Sequence, residues 1–287
     1  MLTSLALIFL CGLLLSSIFQ KLKIPGLLGM LITGIVLGPY VLNLLDGSIL
    51  GISADLRQIA LIIILMRAGL NLDIKDLKKV GRPAILMCFV PACFEIAGMV
   101  LIAPKLLGIS VLDAAIMGAV VGAVSPAVIV PKMLHLMESR YGTKQSIPQL
   151  IMAGASVDDV FVIVLFTAFT GLAQGQTISP LSFAQIPISI VLGLSVGIGL
   201  GILLSLFFKK FHLRDSIKVV ILLSVSFVLV ALETSLKGIV PLSGLLAVMS
   251  MGAALQKKSY AVAKRLSGKF SKLWIAAEIL LFVLVGA

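Results

Sequence analysis

The sequence predicts an all-α, polytopic membrane protein with about ten transmembrane helices. The 287-residue chain is 60% hydrophobic and only 12% charged, whereas a soluble globular domain has about 25% charged residues. A helix needs about 20 apolar residues to cross a bilayer. Apolar runs of this length follow one another along the whole chain. The net charge of +11 does not indicate nucleic-acid binding, because the cytoplasmic loops of membrane proteins accumulate lysine and arginine.

The apolar runs define ten predicted spans joined by short loops, so residues 1–287 are predicted to form a single transmembrane unit. The first run is long for a signal peptide and has no basic region before it, so we expect it to be retained. Cys11, Cys88 and Cys93 all lie in apolar runs, which indicates no disulfide framework. The predicted spans are 2–20, 26–45, 56–73, 84–105, 112–132, 147–171, 186–208, 216–235, 239–255 and 272–287.

The distribution of basic residues predicts the orientation. Nineteen lysines and arginines lie in the odd-numbered loops and three in the even-numbered loops. Because basic loops remain in the cytoplasm, the N-terminus is predicted to lie outside. The protein is then a multi-pass protein of the cell (inner or plasma) membrane.

Two adjacent carboxylates, Asp158 and Asp159, lie inside the apolar span 147–171. A charge at the bilayer centre costs at least about 2.5 kcal/mol, so intramembrane acids usually face a cavity and bind ions or protons. Adjacent helical residues point about 100° apart, so the two side chains cannot face the same point. Proton and cation can compete for such oxygens, which is the minimal chemistry of an antiporter. The alternative is a pair that only holds helices together.

The preceding span, 112–132, is predicted to be broken. Pro126 lacks an N–H and its ring clashes with the carbonyl four residues earlier, at Gly122, and Pro131 predicts a second break. An interrupted membrane helix is tolerated where protein or a water-filled cavity satisfies the freed backbone groups, and such helices form ion sites near the midplane. A simple proline kink is the alternative.

Three further charges lie more than one helical turn from either end of a predicted span. Arg67 and Glu95 could form an ion pair, and a structural role is the preferred interpretation for both. Glu278 is either a gate residue or an interfacial acid. Gly193 and Gly197 form a small-xxx-small face that fits either packing within the chain or dimerisation.

These motifs resemble the monovalent cation:proton antiporter superfamily, which contains the sodium/proton exchangers. The resemblance covers essentially the whole chain in order. It depends on residues 29–39 (GMLITGIVLGP), residues 67–73 (RAGLNLD), the Ser125-Pro126 break and the Asp158-Asp159 pair.

The resemblance implies a core of two inverted repeats with crossing broken helices beside a dimerisation domain. Residues 84–171 then match the first repeat, with the broken helix at 112–132 and the aspartate helix at 147–171. Residues 1–45 and 186–255 match the scaffold and dimerisation elements. The resemblance also implies a homodimer that works by an elevator-like movement.

The resemblance also assigns roles to site residues. Asp159 matches the carboxylate that binds the transported cation or proton, and Asp158 matches a position that is Asp in electrogenic and Asn in many electroneutral members. Val124 and Ser125 match the unwound break. Some members carry Glu-Ser before the pair where this chain has Gly154 and Ala155, so no side-chain ligand is transferred there. Ser156, one turn before Asp159, is our own candidate substitute.

The last span, 272–287, is apolar to its final residue and resembles the span before the second repeat. We therefore expect the second core repeat to be missing from a truncated chain, which could not form a complete ion site. A natural terminus on the outer face is the alternative.

The predicted function is secondary active antiport of a monovalent cation (Na⁺, or Li⁺ or K⁺) for H⁺ by alternating access. A transport-incompetent, antiporter-like fragment is the alternative. An intramembrane aspartyl protease needs two aspartates from different helices, and a channel needs a continuous polar path, so neither fits. The protein is predicted not to be an enzyme and to need no cofactor. Its predicted partners are lipid, cations and protons, with Na⁺ bound at Asp159 as cargo and no nucleic acid.

Overall fold

The computed structural model describes residues 1–72, 81–173, 180–236 and 240–287. The predicted loop between the third and fourth spans lies largely outside these residues. All regular elements in the described part are helical, which confirms the predicted all-α class. The α-helices are α1 (Leu2–Lys21), α2 (Gly26–Leu37), α3 (Gly47–Gly51), α4 (Ser53–Asn71), α5 (Arg82–Leu86), α6 (Val90–Leu107), α7 (Val111–Gly122), α8 (Pro126–Glu138), α9 (Ile147–Ala173), α10 (Pro180–Lys210), α11 (Asp215–Ser235), α12 (Gly244–Lys258) and α13 (Tyr260–Gly286).

The predicted number of about ten spans is not confirmed. Five segments of the described chain are long and apolar enough to cross a membrane, and two shorter apolar helices accompany them. Several other helices, among them α9, lie where spans were predicted. The five segments are Leu2–Lys21, Val90–Leu107, Val111–Glu138, Pro187–Lys210 and Asp215–Ser235.

The chain divides into two compact units. One comprises Met1–Ile64 and Gly268–Ala287, and the other comprises Leu65–Ser267. In the first unit α1 packs against α2, and glycines permit the close approach. A Cβ on Gly29 would lie 2.7 Å from the carbonyl oxygen of Leu15, and a Cβ on Gly12 would lie 2.8 Å from the Ile279 side chain.

In the second unit, α12 is the central helix. Residues from Leu246 to Gln256 are all buried, because α10 and α11 both pack against α12. Gly69 of α4 also touches Met249 and Ala253 of α12. The α10 glycines lie on one face toward α12, since Gly193 contacts Ser243 and Gly197 contacts Ala247 and Ser250. The small-xxx-small face is therefore used within the chain.

Several helix boundaries differ from the predicted ones. Helix α2 ends at Leu37 rather than 45, because Pro39 forces Gly38 into an extended conformation (φ −66°, ψ 175°). The predicted span 84–105 is interrupted between α5 and α6. Helix α8 continues through Pro131, where one lost hydrogen bond does not end the helix.

Helix α13 begins twelve residues before the predicted span, within a predicted basic loop. Lysines and arginines lower the mean hydropathy of this stretch, but its apolar residues recur at helical spacing. Ala263, Leu266 and Phe270 are fully buried, and Arg265 Nε donates to Asp215 Oδ2 of α11 at 2.8 Å. The buried apolar face and this ion pair therefore stabilise a helix that average hydropathy does not indicate.

Candidate functional site

The centre of the candidate site is the gap between α7 and α8. Helix α7 ends at Gly122 and α8 begins at Pro126, and the backbone between them is extended. Ala123 has φ −67° and ψ 120°, and Ser125 has φ −74° and ψ 111°. Pro126 explains the gap, because it supplies no N–H and is suited to the first position of a new helix. The gap leaves backbone groups without helical partners.

Asp158 lies against this gap. Helix α9 packs against both α7 and α8, and the Asp158 side chain is only 3% exposed. Its Oδ2 atom accepts a hydrogen bond from the Val124 N–H at 3.2 Å. A buried carboxylate needs such donors, so the broken helix supplies a backbone group that the acid requires.

Helix α6 provides another acid beside Asp158. Glu95 lies close to the break, since a Cβ on Gly122 would be 3.8 Å from the Glu95 Cβ. The Glu95 side chain is exposed, and as a carboxylate it would repel an ionised Asp158. Ala92, Ala119 and Val162 form a small apolar core among the same helices. Two nearby carboxylates repel each other unless a proton or cation lies between or beside them, so this arrangement favours cation or proton uptake.

Sequence reasoning missed the turn at Met87–Phe89, between α5 and α6. Cys88 in this turn is buried, at 8% exposure. The Phe89 ring packs edge-on against Phe161, with centroids 5.8 Å apart. The available signal was Pro91, which removes a helical hydrogen bond at this point. The site is therefore formed by α6 and the turn before it as well as by α7, α8 and α9.

The remaining predicted site residues have varied positions. Asp159 and Ser156 lie in α9, but the structure does not describe their side chains. Pro126 is buried and Val124 half-buried, whereas Ser125 is exposed and its side chain does not cap α8.

Arg67 and Glu278 are also placed by the structure. Arg67 Nη2 lies 4.0 Å from Glu138 Oε1 at the end of α8. The Arg67 side chain is largely buried, at 15% exposure, whereas the Glu138 side chain is 72% exposed. Glu278 is half-buried in α13, where it belongs to the other compact unit. The Arg67–Glu138 pair therefore joins α4 to the C-terminal end of α8.

Resident metal binding has no support in the described part of the chain. Among those residues no group of three or more His, Cys, Asp or Glu side chains is arranged to hold a metal ion.

Replacing Val124 with proline should destabilise the protein through Asp158. The substitution removes the N–H that binds Oδ2, while Ala123 already has the extended backbone that a following proline requires. A hydrogen bond to a charged group contributes about 1.5–3 kcal/mol, so we expect the free energy of unfolding to fall by about that amount. Thermal unfolding of the purified protein measures it. Val124→Ala keeps the N–H and is the control; an equal loss in both variants would contradict the role of the hydrogen bond.

Comparison with known proteins identifies the family of the chain. The family model "Sodium/hydrogen exchanger, transmembrane" matches residues 5–287. The sodium/hydrogen exchanger 9B2 of Mus musculus is 31% identical over 98% of this chain and 52% of its own length. The sodium/hydrogen exchanger 9B1 of Homo sapiens is 30% identical over 92% of this chain and 51% of its own length. The chain thus spans about half the length of these relatives.

A solved structure shows the same fold. The sodium proton antiporter MjNhaP1 from Methanocaldococcus jannaschii aligns with a TM-score of 0.78 and 22% identity, over 99% of this chain and 69% of its own. The fold likeness and the family match extend over nearly the entire sequence. The chain therefore belongs to the transmembrane sodium/hydrogen exchanger family.

Proposed function

We propose that the protein exchanges a monovalent cation for protons by secondary active antiport. The observation that best supports this proposal is the buried Asp158 carboxylate, which accepts a hydrogen bond from the backbone of a broken helix. The family supplies the reaction class. Na⁺ is the expected cation, with Li⁺ and K⁺ as further substrates, and the protein is expected to act as a transporter embedded in lipid rather than as an enzyme.

In the proposed mechanism, proton and cation compete for the Asp158–Asp159 pair. When the carboxylates are ionised, Asp158 and the nearby Glu95 concentrate negative charge at the break, which attracts a cation. A proton neutralises the same oxygens and releases the cation. Alternating access then exposes the loaded pair to one side of the membrane at a time, with Asp159 as the direct binding carboxylate.

The domain roles belong to the same proposal. Residues 84–171 would form one repeat of the transport core, and residues 1–45 and 186–255 would form the scaffold and the contact in a homodimer. The N-terminus would lie on the outer side of the cell membrane. A crosslinking experiment in membranes, with the monomer and dimer separated by size, would test the dimer independently of transport.

Exchange by the full-length protein tests the proposed function. We expect an imposed Na⁺ gradient to drive proton movement in proteoliposomes, as reported by a pH-sensitive dye. Replacing Na⁺ with choline is the control, because this large cation does not fit a small carboxylate site. Dye responses that are no larger than those of protein-free liposomes with Na⁺, Li⁺ and K⁺ would reject the proposal.

A further inference from the structure

The turn before α6 contains a backbone carbonyl without a helical partner. Helix α5 ends at Leu86 and α6 begins at Val90. In a continuous helix the Met87 carbonyl would accept from residue 91, but Pro91 has no N–H. The Met87 N–H still donates to the Pro83 carbonyl at 3.0 Å. Among the hydrogen bonds between described residues, none is donated to the Met87 carbonyl.

Helix α9 approaches this carbonyl at Gly154. A Cβ on Gly154 would lie 3.2 Å from the Met87 oxygen and 3.0 Å from the Met87 Cβ. Such distances are tighter than ordinary packing, so glycine gives the backbone of the turn room to lie against α9. Gly154 precedes Asp158 by four residues, and residues with this spacing are neighbours on one helix face. The Met87 oxygen therefore lies beside the face of α9 that presents Asp158.

We propose that the Met87 carbonyl oxygen is a further binding group for the transported cation. The inference rests on the proposed antiport and adds an oxygen ligand from a third segment of the chain. Position 154 has no side chain, and the main-chain oxygen of Met87 occupies the space next to it. A backbone carbonyl without a hydrogen-bond donor is unfavourable unless water or an ion binds it, and a cation or its water can supply this partner.

The chemistry of the neighbouring groups supports an oxygen ligand. Unwound backbone carbonyls coordinate Na⁺ in transporters with broken helices. Cys88 lies in the same turn, but thiol ligands select soft metals. The Met87 carbonyl is thus an oxygen ligand in this turn that suits a hard monovalent cation, and Asp158 supplies the compensating negative charge.

Restoring the missing N–H tests the proposal. In Pro91→Ala the residue-91 N–H can bond to the Met87 carbonyl and withdraw it from the cation. We expect the KM for Na⁺ of the reconstituted full-length protein to rise by about tenfold, which corresponds to about 1.4 kcal/mol. The Na⁺-dependent rise in Tm of the purified protein should decrease in parallel. Pro104→Ala, which changes a proline near the other end of α6, should leave both quantities unchanged.

A second pair of variants separates ligand binding from packing. Gly154→Ala places a Cβ against the Met87 carbonyl and should also raise the KM. Gly118→Ala in α7 places a Cβ 2.9 Å from the Cα of Ile96 in α6, away from Met87. This control should lower the stability of the protein without changing the KM. An unchanged KM in both Pro91→Ala and Gly154→Ala would overturn the inference. An equal rise of the KM in the controls Pro104→Ala and Gly118→Ala would also overturn it. In either case, exchange by the wild type would still support antiport. No exchange by the wild type would reject the proposed function itself.

Discussion

Replacing Asp159 with alanine in the full-length protein should reduce Na⁺-driven proton movement to the level of protein-free liposomes. The proposed mechanism requires this carboxylate to be loaded by either a proton or a cation, and alanine can bind neither. The loss should persist at saturating Na⁺, because the exchange step itself needs the group. Dye quenching and recovery in proteoliposomes measure it. Retained Na⁺-driven proton movement in Asp159→Ala would contradict the assignment.

Asp158 offers a matched pair of controls for that experiment. Asp158→Asn removes the charge but keeps an oxygen that can accept from the Val124 N–H, which is 3.2 Å from Oδ2 in the wild type. By the family resemblance, Asn at this position is compatible with electroneutral exchange, so we expect exchange to persist. Asp158→Ala leaves the Val124 donor without this partner, and we expect both stability and exchange to fall.

Substitution of Gly197 by alanine should markedly lower the stability of the protein. A Cβ there would overlap the Ala247 carbonyl and the Ser250 side chain of α12, and the backbone atoms of a packed helix cannot move aside freely. Overpacking in a tightly packed core typically costs about 1–3 kcal/mol. Thermal unfolding of the detergent-purified protein should therefore show a clearly lower Tm.

Gly199→Ala is the control, since it changes the same residue type on the same helix. Nothing lies within 4 Å of a Cβ at Gly199, and replacing an exposed helical glycine generally stabilises by about 0.5–1 kcal/mol. We expect an unchanged or slightly higher Tm for this variant. Equal losses for Gly197→Ala and Gly199→Ala would show that helix packing against α12 is not the cause.

Average hydropathy predicted the long apolar helices well. The observed bounds of α9 and α11 lie within two residues of the predicted spans at 147–171 and 216–235, because polar residues flank each apolar run. The same measure failed at α2 and α13. It does not register the Gly38-Pro39 stop, and it is lowered by the basic residues on the exposed face of α13.

The candidate site was predicted only in outline. The sequence placed a proline break and an aspartate pair on consecutive spans, but it could not identify the Val124 N–H as the donor to Asp158. That contact depends on how α9 crosses the gap. The Met87–Phe89 turn was missed for a related reason. From the sequence alone Pro91 predicts only a helix kink, and the close approach of Gly154 to Met87 is seen only in the structure. The role of Asp159 remains a prediction from the resemblance.

The enclosure of α12 has a consequence for how the protein is made. Its 15 residues extend over about 22 Å, less than the hydrocarbon thickness of about 30 Å, and glycine and serine reduce its hydrophobicity. Such a segment has little tendency to leave the translocation channel for lipid alone. Its surface is instead covered by protein, from α10 and α11. Stable membrane integration of α12 should therefore follow the arrival of these neighbours, so that biogenesis of this unit is cooperative rather than helix by helix.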